Sequence, residues 1–343
     1  MTDELRRVLG EWDLGGARTR AERAPTGLIQ ETWFVDAPEL PRLVVQRMHP
    51  IFGAAVLEDI EAATAHLAAR GLTTPRIVRT RGGALGATDA ATGRLWRALT
   101  YLDGYTVDRM AGPALARPAA ALVARFHGAL EDLDHEWRFV REGVHDTAAH
   151  LRRLEAAVGG DGPARLAEEI LEAGRRLELA GFAALPRRRA HGDLKISNVL
   201  LDPGGEPLAL IDLDTMALMP LPFELGDAWR SWCNPLGEDV EEARFDLEVF
   251  GAAASGYGSV ARVTPEERDL LVAGVETIAV ELAARFCVDV FEDRYFGWDP
   301  ARFPSRREHN RVRAEGQLSL ARQIAAARSD AETLVRRSFT TTK

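Results

Sequence analysis

Cysteine and lysine are nearly missing from this chain of 343 residues. The two cysteines, Cys233 and Cys287, stand far apart with no CxxC pair, which argues against a disulfide framework and against a cysteine-held structural zinc. No stretch approaches the roughly 18 uncharged apolar residues of a membrane span, and Met1-Thr2-Asp3-Glu4 does not open a signal peptide. Basic charge is not in excess either: 43 basic residues face 52 acidic ones, a net charge of −9. Such a balance gives no global attraction to nucleic acid or to an anionic membrane surface. A cytoplasmic protein with small-molecule partners is expected, and a homodimer is left open. The sequence also has no GxxxxGK[ST], GxSxG, HExxH or GxGxxG, so P-loop, α/β-hydrolase, zincin and dinucleotide readings fall away. Of the basic residues, 41 are arginine, and the only lysines are Lys195 and Lys343. A lysine kept inside a chain that otherwise uses arginine points to a site wanting a compact ammonium instead of a planar fork.

What is present suits a sizeable core: 46% of residues are hydrophobic and 28% charged. Residues 28–35 and 43–48 are short runs rich in β-branched and aromatic side chains. Between 54 and 70, Leu57, Ile60, Thr64 and Leu67 recur at helical spacing, and Gly71 ends the helix. Residues 76–80, a Gly82-Gly83 turn and residues 95–102 return to strand character. From Thr106 the periodicity is helical over 114–133, 145–158, 163–180, 240–254, 265–291 and 310–328. A predicted hairpin over 199–214 interrupts it. The first few residues and 338–343 read as loose ends. The fold class expected is α+β: a small antiparallel-sheet lobe with one main helix over 1–100, a hinge over 101–105, and a larger, mostly helical lobe over 106–343.

Polar chemistry concentrates in His191-Gly192-Asp193-Leu194-Lys195-Ile196-Ser197-Asn198 and in Leu210-Ile211-Asp212-Leu213-Asp214-Thr215. On the second hairpin strand, expected over 208–214, Asp212 and Asp214 share one face with Leu208 and Leu210, because strand side chains alternate. Two carboxylates on an apolar strand are costly to bury unpaired, and a hard cation such as Mg²⁺ would compensate them, with Asn198 adding a neutral oxygen.

The pairing of HGDLKISN with IDLD resembles the HGDxxxxN…D motif of aminoglycoside phosphotransferases, choline kinases and their relatives, which share the protein-kinase-like, bilobal fold. The resemblance implies an ATP- and Mg²⁺-dependent kinase acting on a hydroxyl of a small polar metabolite. It implies Asp193 as catalytic base, Lys195 beside the phosphoryl group in transit, and Asn198 and Asp212 as metal ligands, with Asp214 either as an alternative metal ligand or as a group that supports the ligands from behind. His191 reads as a packing residue, and Asp227 as one that hydrogen-bonds the backbone of this loop.

In the small lobe, Gly27 and Thr32 belong to the segment in the place of a phosphate-covering loop, and Tyr101 and Leu102 to the hinge that would pair with adenine. The family's lysine on the third strand is missing, which leaves Arg47, or Gln46 one residue earlier, as its replacement; Arg47 is preferred, with Glu61 as its helix partner. Gly27-Leu28-Ile29-Gln30-Glu31-Thr32, Val45-Gln46-Arg47-Met48 and His309-Asn310 with Arg313, Gln317 and Leu320 are similar to segments of N-acetylhexosamine 1-kinases. That similarity implies a hexose or amino sugar acceptor phosphorylated at its anomeric position. Arg285 and Tyr295 would contact it while Asp193 holds the reacting hydroxyl. An aminoglycoside kinase would share every catalytic residue. A nucleotide-binding scaffold without activity is the remaining alternative.

Overall fold

A computed structural model of the chain describes residues 2–14, 16, 18–24, 30–38, 40–140, 143–159 and 162–339. The chain divides into two compact units. The first is Met1–Gly104 with Asp132–Val140 and Ala209–Asp214, and the second is Tyr105–Glu131, Arg141–Leu208 and Thr215–Lys343. As expected, the architecture is α+β, with an antiparallel sheet and a large helical set.

The first unit contains α1 (Asp3–Leu9), β1 (Arg20–Arg23), β2 (Glu31–Asp36), β3 (Leu43–Arg47), α2 (Ala55–Ala69), β4 (Ile77–Val78), β5 (Ala87–Thr88) and β6 (Leu95–Thr100). The strand order is β1-β2-β3-β6-β4, with β5 also on β6. Alternation gives the sheet two chemically different faces. Val35, Leu43, Val45, Trp96 and Ala98 pack with Leu5, Val8, Leu9 and Trp12 into one core. The intervening positions Thr32, Gln46 and Arg97 stand opposite one another on adjacent strands, in a row on the other face. Helix α1 replaces the loose N-terminus expected from sequence. Its Leu5, Val8 and Leu9 have helical spacing, and the Thr2 hydroxyl caps it by accepting the Leu5 N–H at 3.2 Å.

The second unit contains α3 (Pro113–Leu130), α4 (Thr147–Ala157), α5 (Ala164–Arg175), α6 (Ala180–Ala183), β7 (Arg187–Ala190), β8 (Val199–Leu201), β9 (Pro207–Leu210), β10 (Ala217–Pro220), α7 (Leu221–Trp232), α8 (Leu247–Gly258), α9 (Pro265–Asp269), α10 (Leu271–Glu292), α11 (Arg306–Ala326) and α12 (Arg328–Ser338); the last two residues of β9 fall to the first unit. Helix α10 is buried along most of its length, with Ile278, Leu282, Ala283 and Phe286 in a core shared with α4, α5 and α11. Helix α7 lies so close to α10 that a Cβ on Gly226 would sit 2.7 Å from the Gly274 carbonyl. The helix expected over 240–254 begins only at Leu247, capped by Asp246. Before it, the backbone of Arg244 and Phe245 is held by Asn234 and Gln323 side chains instead of by helix bonds. The expected loose end after 338 lies mostly outside the described residues, and α12 precedes it. Among the described residues, no helix is long and apolar enough to cross a membrane.

Candidate active site

In the second unit, the segment after β7 makes a tight turn at Gly192, where φ is +80° and a Cβ would meet the Thr215 carbonyl at 2.3 Å. The turn is fixed by Glu224 on α7, a fully interior carboxylate that accepts the N–H groups of His191 at 2.7 Å and Gly192 at 3.0 Å. The Thr215 hydroxyl donates to the His191 carbonyl at 2.9 Å. Burial pushes the Glu224 carboxyl up, but the bond from His127 and the charges of His127 and His191 outweigh this and hold it below the usual carboxylate range. Asp227, expected to bind this loop, instead pairs with Arg230 at 2.9 Å. Glu224, one helical turn earlier, has the task because its side chain is the one level with the two N–H groups.

Beyond the turn, three of the expected residues come together. Lys195 Nζ donates to Asp193 Oδ2 at 2.8 Å, and Asn198 Nδ2 donates to the same oxygen at 3.1 Å and to the Asp193 carbonyl at 2.7 Å. Burial raises the affinity of the Asp193 carboxyl for its proton, yet Lys195, His191 and Asn198 more than compensate, so it stays ionised below the usual range. Asn198 is buried, and with its amide nitrogen engaged, its carbonyl oxygen is the atom able to ligate a hard cation. His191 is fully buried and packs near Phe126, as expected of a structural histidine.

The first unit corrects several expectations. Strand β9 stops at Leu210, Asp212 adopts a left-handed conformation with φ +63°, and Asp214 lies in a 3-10 turn, so the two carboxylates do not share a strand face. Nor is Asp214 a spare metal ligand: both its oxygens are taken by the Arg97 fork, and Oδ2 also accepts Gln30 Nε2 at 2.8 Å. Arg47 does not meet Glu61. It shares the α1-facing side of β3 and pairs with Glu4 at 3.1 Å and with Glu31. Glu61 pairs with Arg79 at 2.9 Å and lies 4.0 Å from Arg76. Gln46, on the other face, donates to Thr32 Oγ1 at 3.1 Å and accepts Arg97 Nε at 2.8 Å. The N–H of Tyr101 is already bonded to the Arg42 carbonyl at 3.3 Å, and the ring lies under the Arg42 guanidinium. Leu102 follows it, half-buried. Gly27 lies outside the described residues. Among the described residues, no cluster of three or more His, Cys, Asp or Glu side chains is disposed to hold a metal ion.

Arg285 stands at the edge of a further polar cluster in the second unit and over the ring of Phe296 (5.7 Å), with which the Tyr295 ring makes an edge contact at 4.8 Å. Glu281, fully buried on α10, accepts Thr147 Oγ1 at 2.7 Å and His145 Nδ1 at 3.2 Å, and Arg285 Nη1 stands 3.7 Å away. His145 itself is left-handed (φ +57°), and its Nε2 is buried with no hydrogen-bond partner among the described residues. Burial pushes the His145 imidazolium down, but the bond and charge of Glu281 outweigh it and raise its pKa above the ordinary value. The His145 ring lies 6.1 Å from that of Phe223, the neighbour of Glu224, and this ties the cluster to the helix that holds the His191–Gly192 turn. Tyr295 is 51% exposed on a loop pinned by Asp289, whose carboxylate accepts the N–H groups of Arg294, Tyr295 and Phe296 and the Asn310 amide.

Sequence reasoning missed Arg97, Gln30, Glu224, Glu281, His145 and Asp289. Arg97 stood out as a solitary charge in the apolar run Leu95-Trp96-Arg97-Ala98-Leu99, and Gln30 lay within the 27–32 segment similar to N-acetylhexosamine 1-kinases.

A profile of the phosphotransferase enzyme family matches residues 20–261. A homoserine kinase of Methylocella silvestris is 29% identical over 229 residues, covering 65% of each chain. Another, of Methylobacterium nodulans, is 29% identical over 222 residues, 64% of each. The match thus spans a little under two-thirds of these curated relatives. An aminoglycoside phosphotransferase structure from Alicyclobacillus acidocaldarius superimposes with TM-score 0.67 at 18% identity over 96% of both chains. A choline/ethanolamine kinase family protein of Mesorhizobium loti does so with TM-score 0.64 at 18% identity, covering 98% of this chain and 99% of that one. At that identity the likeness shows the kinase-like fold alone.

Proposed function

Because the chain belongs to the phosphotransferase enzyme family, we propose that it is an ATP-dependent kinase that phosphorylates a hydroxyl of a small polar metabolite. The observation that carries this reading is the Asp193 carboxylate, held ionised between Lys195 and Asn198 on a turn locked by Glu224. In this reading Asp193 orients the acceptor hydroxyl and takes its proton as the new bond from that oxygen to the γ-phosphorus of ATP forms and the bond from the γ-phosphorus to the bridging oxygen breaks, which leaves ADP. Lys195 supplies a compact positive charge where the transferring group carries shared negative charge. Asn198 and Asp212 are each proposed as an oxygen donor for Mg²⁺, and a divalent cation when bound neutralises nucleotide phosphate charge. Thr32 belongs to the nucleotide side, with Leu102 as the hinge group whose backbone is proposed to meet the base. Catalysis of this kind is mostly positioning and charge neutralisation.

The acceptor proposed first is a hexose or amino sugar. Its support is the similarity of several segments to N-acetylhexosamine 1-kinases, together with Tyr295, an exposed ring on an over-determined loop suited to the apolar face of a sugar. Arg285 would contribute hydrogen bonds to it. A second reading, a hydroxyl-bearing amino acid, is favoured by the two homoserine kinase relatives and by the Arg285 guanidinium, which could bind a carboxylate. An ADP-release assay with N-acetylglucosamine, N-acetylgalactosamine, free hexoses, homoserine, ethanolamine and an aminoglycoside separates them. Turnover with none of these, alongside tight nucleotide binding, would favour a scaffold. In Asp193→Asn, turnover should drop by at least about a thousandfold while ATP-analogue binding persists, the usual consequence of losing a central catalytic group. Wild-type turnover in that variant ends the assignment.

A further inference from the structure

No lysine precedes Lys195, and the buried cation of the sheet is found one strand further on, at Arg97. Arg97 is 1% exposed and Asp214 2% exposed. The Arg97 fork grips both Asp214 oxygens, with Nη2–Oδ2 at 3.0 Å. Its Nε donates to Gln46, which donates to Thr32; Gln30 braces Asp214 and accepts the His49 N–H at 2.7 Å. A continuous chain of side chains therefore runs from β2, β3 and β6 to Asp214, and Asp212 lies two residues before it.

A buried ion pair by itself is weak evidence for stability, since well-packed apolar residues often serve as well. What this pair adds is geometry. A planar fork on a carboxylate fixes both distance and orientation. A left-handed φ outside glycine is strained and persists where its surroundings over-determine it, and Asp212 has φ +63°. The clamp two residues downstream is one restraint on that conformation.

We propose that Arg97 is a positioning residue whose clamp on Asp214 holds the Ile211–Asp212 turn so that the Asp212 carboxylate is presented for nucleotide-bound Mg²⁺. Arg97 thereby fills, from β6, the place left by the absent lysine on β3, which Gln46 occupies as a spacer. This inference rests on the reading of Asp212 as a Mg²⁺ donor.

The test is calorimetric titration of a non-hydrolysable ATP analogue at graded Mg²⁺. Arg97→Gln with Asp214→Asn removes both charges together and leaves no lone charge buried. In the folded double variant, the half-saturating Mg²⁺ should rise by about 10- to 100-fold, the range seen when groups orienting a metal ligand are removed, with Mg²⁺-free binding unchanged. A folded double variant with wild-type Mg²⁺ dependence overturns the proposal and leaves the pair as core filling. Should the double variant not fold, Arg97→Lys keeps the charge and loses the fork; a shift in the same direction supports the proposal, and none overturns it. Asp212→Asn tells the two levels apart. If it binds the Mg²⁺ nucleotide like wild type, the assignment of Asp212 itself fails; if it does not, and the Arg97 variants do, only the clamp fails.

Discussion

Asp214 of the first unit and Glu224 of the second are both buried carboxylates, and the two are neutralised differently. Asp214 in the first unit faces a guanidinium, charge against charge, with a glutamine amide alongside. Glu224 in the second faces two backbone N–H groups and an imidazole, so most of its partners carry only partial charge. The first arrangement links three strands to a turn through side chains and tolerates removal only in pairs. The second holds the backbone itself and cannot be replaced by any apolar residue, because main-chain donors remain whatever side chain is lost.

The largest effect that would sharpen this contrast is expected from Glu224→Leu. It strands three donors at about 1–3 kcal/mol each, so chemical denaturation should show a loss of roughly 3–9 kcal/mol together with loss of turnover. Arg97→Met alone leaves Asp214 buried and uncompensated, with an expected cost of about 3–5 kcal/mol. A loss under about 1 kcal/mol would mean that Asp214 finds solvent, which would break the comparison. Acid behaviour comes next. The Glu224 pKa is lowered on folding, so its contribution is present above its unfolded value of about 4.3 and is lost as pH falls toward the folded one. Thermal midpoints from pH 7 to pH 3 should therefore fall more steeply in wild type than in Glu224→Gln. Parallel curves would show that Glu224 is not the acid-sensitive group. The smallest effect is expected at Arg47, whose pairs with Glu4 and Glu31 lie partly in solvent: Arg47→Ala should cost about 1 kcal/mol or less.

The same contrast explains what could be read in advance. The Asp193–Asn198 loop was legible because its partners are near in sequence: Lys195 and Asn198 reach Asp193 across two and five residues. The helix expected over 54–70 appears as Ala55–Ala69, since its apolar period is local. Arg97 and Asp214 are separated by 117 positions, and nothing in a strand pattern names a partner at that distance. The preference for Arg47 over Gln46 went wrong on a parity: adjacent strand residues face opposite sides, and only the placement of α1 shows which side is which. Similarly, Asp227 and Glu224 sit on one helix, and the choice between them depends on where the turn at Gly192 arrives.

Sequence alone determined the α+β class, the motif-bearing loop, and the short list of groups proposed for the chemistry, because composition, period and near-neighbour spacing are properties of the chain. Tertiary structure alone decided which carboxylate is committed to an arginine, which helix residue grips the loop, and which aromatic faces solvent. Those outcomes turn on pairings between distant segments, whose energies exist only once both partners have left water and met.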